Sequence, residues 1–95
     1  MELRERDIEK YLVKKVKEAG GEVRKLKWIG RRGAPDRVVF LNGTTFVELK
    51  APGKKLEAHQ KREHERMLLR DVRVVTLADI EAVDWWVEWR ARAYG

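Results

Sequence analysis

Over residues 3–19 apolar side chains return at helical spacing, with Ile8, Leu12, Val16 and Ala19 as the stripe and Tyr11 and Val13 at its margins. Gly20-Gly21 ends that helix. Residues 22–29 alternate less regularly and offer Val23, Leu26, Trp28 and Ile29 for burial, which predicts a first strand. Two further strands are predicted over 36–41 and 44–50. They are apolar on both faces, Val38, Phe40 and Phe46 on one and Val39, Leu41, Val47 and Leu49 on the other, so both should be central and covered on each side. Ala51-Pro52-Gly53-Lys54-Lys55 breaks the run. Residues 56–70 form a charged helix with a narrow apolar stripe of Leu56, Met67 and Leu68, interrupted by Gln60, Glu63 and His64. A short apolar strand over 72–77 follows, expected to lie parallel to a hairpin strand after the helical crossover. The last helix, 79–94, has a core face of Ile80, Val83, Val87, Ala91 and Tyr94 and a second arc of Trp85, Trp86 and Trp89. The pattern predicts an α/β layered domain in the order αβββαβα, with a central mixed sheet of about four strands flanked by helices, and residues 1–95 as one domain.

The two central strands meet at Asn42-Gly43, the strongest short-range signal for a hairpin. Asp36 opens the first strand while Glu48 and Lys50 close the second, so all three fall at the open end, away from the turn. Register decides whether they share a face, because a slip of one residue sends every side chain to the other side. A two-residue turn pairs Leu41 with Thr44 and separates the acids. A three-residue loop, Leu41-Asn42-Gly43 with Gly43 left-handed in a bulge, pairs Phe40 with Thr44 and sets Asp36 across from Glu48. The second register is predicted, since two carboxylates and an ammonium gathered at a strand end can hold a divalent cation and a water. Upstream, Gly30-Arg31-Arg32-Gly33-Ala34-Pro35 is a loop whose glycines permit close backbone approach to a ligand and whose arginines can contact phosphates.

Pro35-Asp36 followed by Glu48-Leu49-Lys50 resembles the PD-(D/E)XK nuclease signature. The wider set, Gly30-x-x-Gly33-x-Pro35-Asp36-Arg37, Glu48-Leu49-Lys50-Ala51-Pro52-Gly53 and Gln60, resembles the virus-type replication-repair nuclease (VRR-NUC) branch in its small stand-alone form, over nearly the whole chain. The resemblance implies a PD-(D/E)XK nuclease-like fold and a Mg²⁺- or Mn²⁺-dependent DNA endonuclease acting on branched DNA such as four-way Holliday junctions, with a role in DNA repair. It implies Asp36 and Glu48 as metal ligands, the Leu49 backbone carbonyl as a further one, and Lys50 to orient or help deprotonate the attacking water. A glutamate of the first helix often completes the site in this family; Glu9 is the candidate and Glu5 the alternate, both lying on or near the buried stripe. Gln60 is expected near the site, where its amide could orient Lys50, a water or the backbone. Arg70-Asp71 stands where the family often has Gly before the last strand.

Charge strengthens this picture. Lys and Arg outnumber Asp and Glu by 22 to 16, giving +6, and a positive field of that extent attracts polyanions. Gly30, Arg31, Arg32, Gly33, Arg37, Lys54 and Lys55 are the expected nucleic-acid contacts. His59 and His64, on a surface helix, are expected to be solvated or to bind phosphate rather than to catalyse. The chain has no Cys, which removes disulfides and thiolate metal sites and suits a reducing cytoplasm; with no apolar leader or membrane-length run, an unsecreted, cytoplasmic protein is expected. Trp85, Trp86 and Trp89 are more aromatic surface than one monomer hides, which predicts a homodimer through this region. The alternatives are a basic nucleic-acid-binding module without catalysis, whose mark would be loss of Asp36, Glu48 or Lys50, and a dimeric interaction protein. None of the three residues is lost.

Overall fold

The computed structural model describes residues 2–92. Its elements are α1 (Glu5–Glu18), β1 (Glu22–Lys25), β2 (Arg37–Phe40), β3 (Thr44–Leu49), α2 (Ala58–Leu68), β4 (Val74–Leu77) and α3 (Ile80–Arg92), in the predicted order. The four strands form one sheet in the order β1-β2-β3-β4, with the first two pairings antiparallel and β3 parallel to β4. The parallel pair follows from α2, which returns the chain to the end of the sheet where β3 began.

Alternation sorts the sheet into two chemically different faces. One carries Val39, Val47, Leu49 and Leu77 against Ile8, Leu12 and Val16 of α1 and Val83, Trp86 and Val87 of α3, and this is the hydrophobic core. Tyr11 fastens the two helices to each other by donating to Asp84 at 2.5 Å. On the other face lies α2. Its buried residues are Glu63, His64 and Met67, so the side chains that interrupt its apolar stripe are the ones it turns inward, while Leu68 is exposed.

The hairpin takes the three-residue register. Phe40 pairs with Thr44 and Arg37 with Val47, so Asp36 continues the ladder opposite Glu48. Gly43 is left-handed (φ 103°), as predicted, and Asn42 is too (φ 48°), a conformation asparagine tolerates better than most residues. The Asn42 side chain also donates from Nδ2 to the carbonyls of Arg90 and Ala91, at 3.0 Å each, tying the turn to the end of α3.

Four expectations are corrected. β1 stops at Lys25 rather than 29: after the Leu26 N–H bonds the Asp36 carbonyl at 2.9 Å the chain leaves the sheet, Ile29 is 95% exposed, and Trp28 folds back to donate to the Pro35 carbonyl at 2.6 Å. Ala19 is an exposed C-cap rather than a core residue. Phe40 is exposed at the hairpin's turn end. Trp86 is 3% exposed and belongs to the core, leaving Trp85 and Trp89, 66% and 52% exposed, as the outer aromatic surface. Tyr94 lies outside the described residues.

Candidate active site

The open end of the hairpin is where the chemistry gathers. Asp36 sits one residue before β2 with an exposed side chain, whereas Glu48, in the last turn of the β3 ladder, is 8% exposed beneath α2. Both project to the α2 face, and alternation sends Lys50 the same way. Burial pushes the Glu48 carboxyl up to about 7, and the negative charge of Asp36 adds to the rise; Lys50 and Arg37 oppose it. A carboxylate under this strain favours an added counter-charge.

The first-helix acids divide between two roles. Glu9 accepts from both Nε and Nη2 of Arg37 and lies 3.8 Å from Lys25 Nζ. Arg37 and Lys25 are register partners on the α1 face of the sheet, the face opposite to Glu48, so they draw Glu9 there. Glu5, a turn earlier, is the helix acid whose charge raises Glu48. Arg37 is itself 8% exposed, and its Nη1 reaches round to Asp36 Oδ1 at 2.9 Å. Instead of facing a nucleic acid, Arg37 links Glu9 to Asp36 and holds the start of β2, because its position in the ladder points it beneath α1.

The loop before Asp36 is braced by α2. Gly33 (φ +87°) lies so close to the backbone of His59 and Gln60 that an added Cβ would stand 2.6 Å from the His59 carbonyl oxygen. Its close approach is thus to the helix, whereas Gly30 stands in open space. Arg31 is paired with Glu63 at 3.4 Å, while Arg32, Lys54 and Lys55 are exposed. Gln60 is half-buried and its Oε1 accepts from the Glu57 N–H at 2.9 Å, which closes the first turn of α2.

His64 departs furthest from expectation. It is buried, its ring is bonded to the Gly33 backbone, and its Nε2 lies 3.8 Å from Glu48 Oε1 with no hydrogen-bond partner. Burial pulls its pKa below the usual histidine range, so the ring is neutral at pH 7. The signal that could have found it is its place four residues after Gln60, on the helix face that turns toward the sheet. His59, by contrast, lies near Glu57 at the helix start, 3.7 Å away.

A small hard cation would suit this donor set. Among the described residues no group of three or more His, Asp or Glu side chains is gathered closely enough to hold a metal alone. Two carboxylates with a backbone carbonyl and several retained waters are the kind of ligation that Mg²⁺ takes.

No family model matches the sequence. The chain is 48% identical over 77 residues to the "Putative nuclease p44" of Acyrthosiphon pisum secondary endosymbiont phage 1, an alignment that spans 79% of this chain and 83% of the phage protein. Its fold superposes on a solved VRR_NUC domain with a TM-score of 0.79 at 39% identity, covering 88% of this chain and 94% of that one. With the sheet order, the hairpin register and the Asp36, Glu48 and Lys50 end in place, these likenesses establish that the chain belongs to the VRR-NUC family of nucleases, on a PD-(D/E)XK-like fold.

Proposed function

We propose that the chain is a Mg²⁺- or Mn²⁺-dependent endonuclease that hydrolyses phosphodiester bonds in branched DNA. The observation that carries this is the convergence of Asp36, Glu48 and Lys50 on one face of the hairpin's open end, with Glu48 raised to about 7 beside Asp36. Asp36 and Glu48 would hold the ion, with the Leu49 carbonyl completing the set and Glu5, rather than the Arg37-bound Glu9, as the outer acid. Bound there, the ion would neutralise phosphate charge, lower the pKa of a water and stabilise the leaving oxygen. Lys50 directs the attacking water and offsets charge on the phosphate. His64 packs over Glu48 from α2, and Gln60 keeps the start of α2 in register with the Gly33 loop. Arg31, Arg32, Lys54 and Lys55 take the DNA backbone without reading bases. A homodimer through Trp85 and Trp89 would present two such sites to a symmetric junction.

The test is cleavage of linear, flapped and four-way DNA with Mg²⁺ and Mn²⁺. Asp36→Asn and Lys50→Ala are each expected to lower the rate at least about a hundredfold with the circular dichroism spectrum unchanged. Full activity in excess chelator defeats the metal-dependent reading, and equal rates on linear and four-way DNA defeat the branched substrate.

A further inference from the structure

Along the same face as Glu48, toward the turn of the hairpin, lies a groove of about 270 Å³ that the nuclease chemistry does not use. Its floor is apolar and aromatic: Trp28, Phe46 and Met67, with the Trp28 and Phe46 rings 5.6 Å apart and inclined at 52°. Its rim is basic, formed by Arg31, Arg66 and Arg70 against a single carboxylate, Glu63. Glu63 is buried and already holds Arg31 at 3.4 Å and Arg66 at 3.2 Å, which presets two guanidinium groups at the mouth. Arg70 donates to the Arg66 carbonyl at 3.3 Å and adds a third.

Phe46 precedes Glu48 by two residues on one strand face, a separation of roughly 7 Å. That is about the distance between successive phosphates of an extended single strand, so the groove stands one nucleotide from the catalytic acids. An aromatic-floored apolar groove with arginines at its edge meets both needs of an unpaired nucleotide, an aromatic surface for the base and cations for its phosphate. It suits a base-paired nucleotide poorly, since a paired base presents its edge rather than its face.

We infer that this groove receives the base of an unpaired nucleotide next to the phosphate being cut, and so supplies a preference for branched DNA that carries a single-stranded arm over continuous duplex DNA. The inference rests on the nuclease reading for the identity of the strand. Trp28 also donates to the Pro35 carbonyl, one residue before Asp36, so an occupied groove bears directly on the loop that sets that acid.

The test is equilibrium binding in chelator, where no cleavage occurs, using a duplex with a single-stranded arm that carries 2-aminopurine at the first unpaired nucleotide. The fully paired duplex and an arm abasic at that position serve as comparisons. The expected result is quenching of the 2-aminopurine on binding and about tenfold weaker affinity for the abasic arm. Phe46→Leu, which keeps the apolar volume, and Arg70→Ala, on an exposed side chain, are each expected to weaken binding of the armed duplex severalfold while leaving affinity for the paired duplex unchanged. Equal affinity for the abasic and intact arms overturns the inference. So does an equal loss on both duplexes, or a dissociation of oligomers by Arg70→Ala, which would assign the groove to a second copy of the chain. Absence of cleavage with every divalent ion, alongside the expected binding pattern, defeats the metal-dependent cleavage reading and leaves only the groove's binding of an unpaired base standing.

Discussion

Glu48 holds its proton more tightly in the folded chain than in the unfolded one. Its folded pKa of about 7 lies above the ordinary 4.5, so between those values the folded state binds more protons and stability falls as pH rises. His64 acts in the opposite sense: its pKa is lowered by burial, so stability is lost as pH falls below the ordinary histidine value of 6.5. In chelator, Glu48→Gln removes the first effect and leaves the second. The variant is expected to be more stable than the parent at pH 7.5, by at most about 3 kcal/mol before solvent screening is discounted, and to match it near pH 4.5. Thermal melts across that range check this; an advantage of equal size at both ends would show that the carboxyl is not perturbed. Asp36, Glu48 and Lys50 could be placed from sequence because strand alternation leaves two registers and only the three-residue loop gathers the charges on one face, which is the register the hairpin takes. Glu9 could not. Its stripe position was legible, but its partner Arg37 comes from a strand 28 residues away, and only the fold shows the pair on the far face of the sheet.

Element boundaries were readable wherever a local rule governs them, and one turn obeys its rule through an unexpected residue. Asp71 closes α2 in the left-handed region (φ 62°), with the Val72 N–H bonded to the Met67 carbonyl at 3.1 Å. Glycine adopts that conformation without the clash of a Cβ. Asp71→Gly is therefore expected to stabilise the fold by about 1 kcal/mol and raise the Tm by several degrees. An unchanged or lower Tm would mean that the Asp71 side chain contributes more than the strain it bears. At the hairpin, Asn42 serves the turn and also donates to the last carbonyls of α3. Asn42→Asp keeps a turn-forming residue but sets a carboxylate against those carbonyls at the negative end of the helix dipole, for a loss of roughly 1–2 kcal/mol. Denaturant unfolding measures it, and a loss as small as that of a typical surface change would remove the link from turn to helix. The buried face of α2 was obscured in the sequence for a related reason. Helical spacing puts Glu63 and His64 on the stripe with Leu56 and Met67, but their polarity argues for solvent; both are inside, Glu63 held by Arg31 and Arg66 and the His64 ring bonded to the Gly33 backbone.

For the whole molecule, layer order and sheet topology followed from the pattern because short connections and one crossover leave few alternatives. The division of the aromatic surface was legible but is not visible when the three indoles are grouped together: Trp86 stands three residues after Val83 and next to Val87, on the core side of α3, whereas Trp85 points away from it. Trp85 and Trp89 stack in parallel at 6.0 Å beside a groove of about 370 Å³ that includes Leu68 and Val74. If this surface joins two copies, Trp85→Ser with Trp89→Ser shifts the sedimentation equilibrium to monomer while the far-ultraviolet spectrum is retained; a double variant that sediments like the parent removes the proposed interface.

The tether from Asn42 to the tail of α3 also separates labour along a single ribbon. One tip of the hairpin is anchored near the stacked indoles, and the other tip, roughly 20 Å away by strand length, carries the acids. If α3 joins two copies and the acids cut, assembly and scission would be insulated from each other. Pairs of chains with altered partner choice could then be engineered by rewriting α3, with the acidic end left as it is.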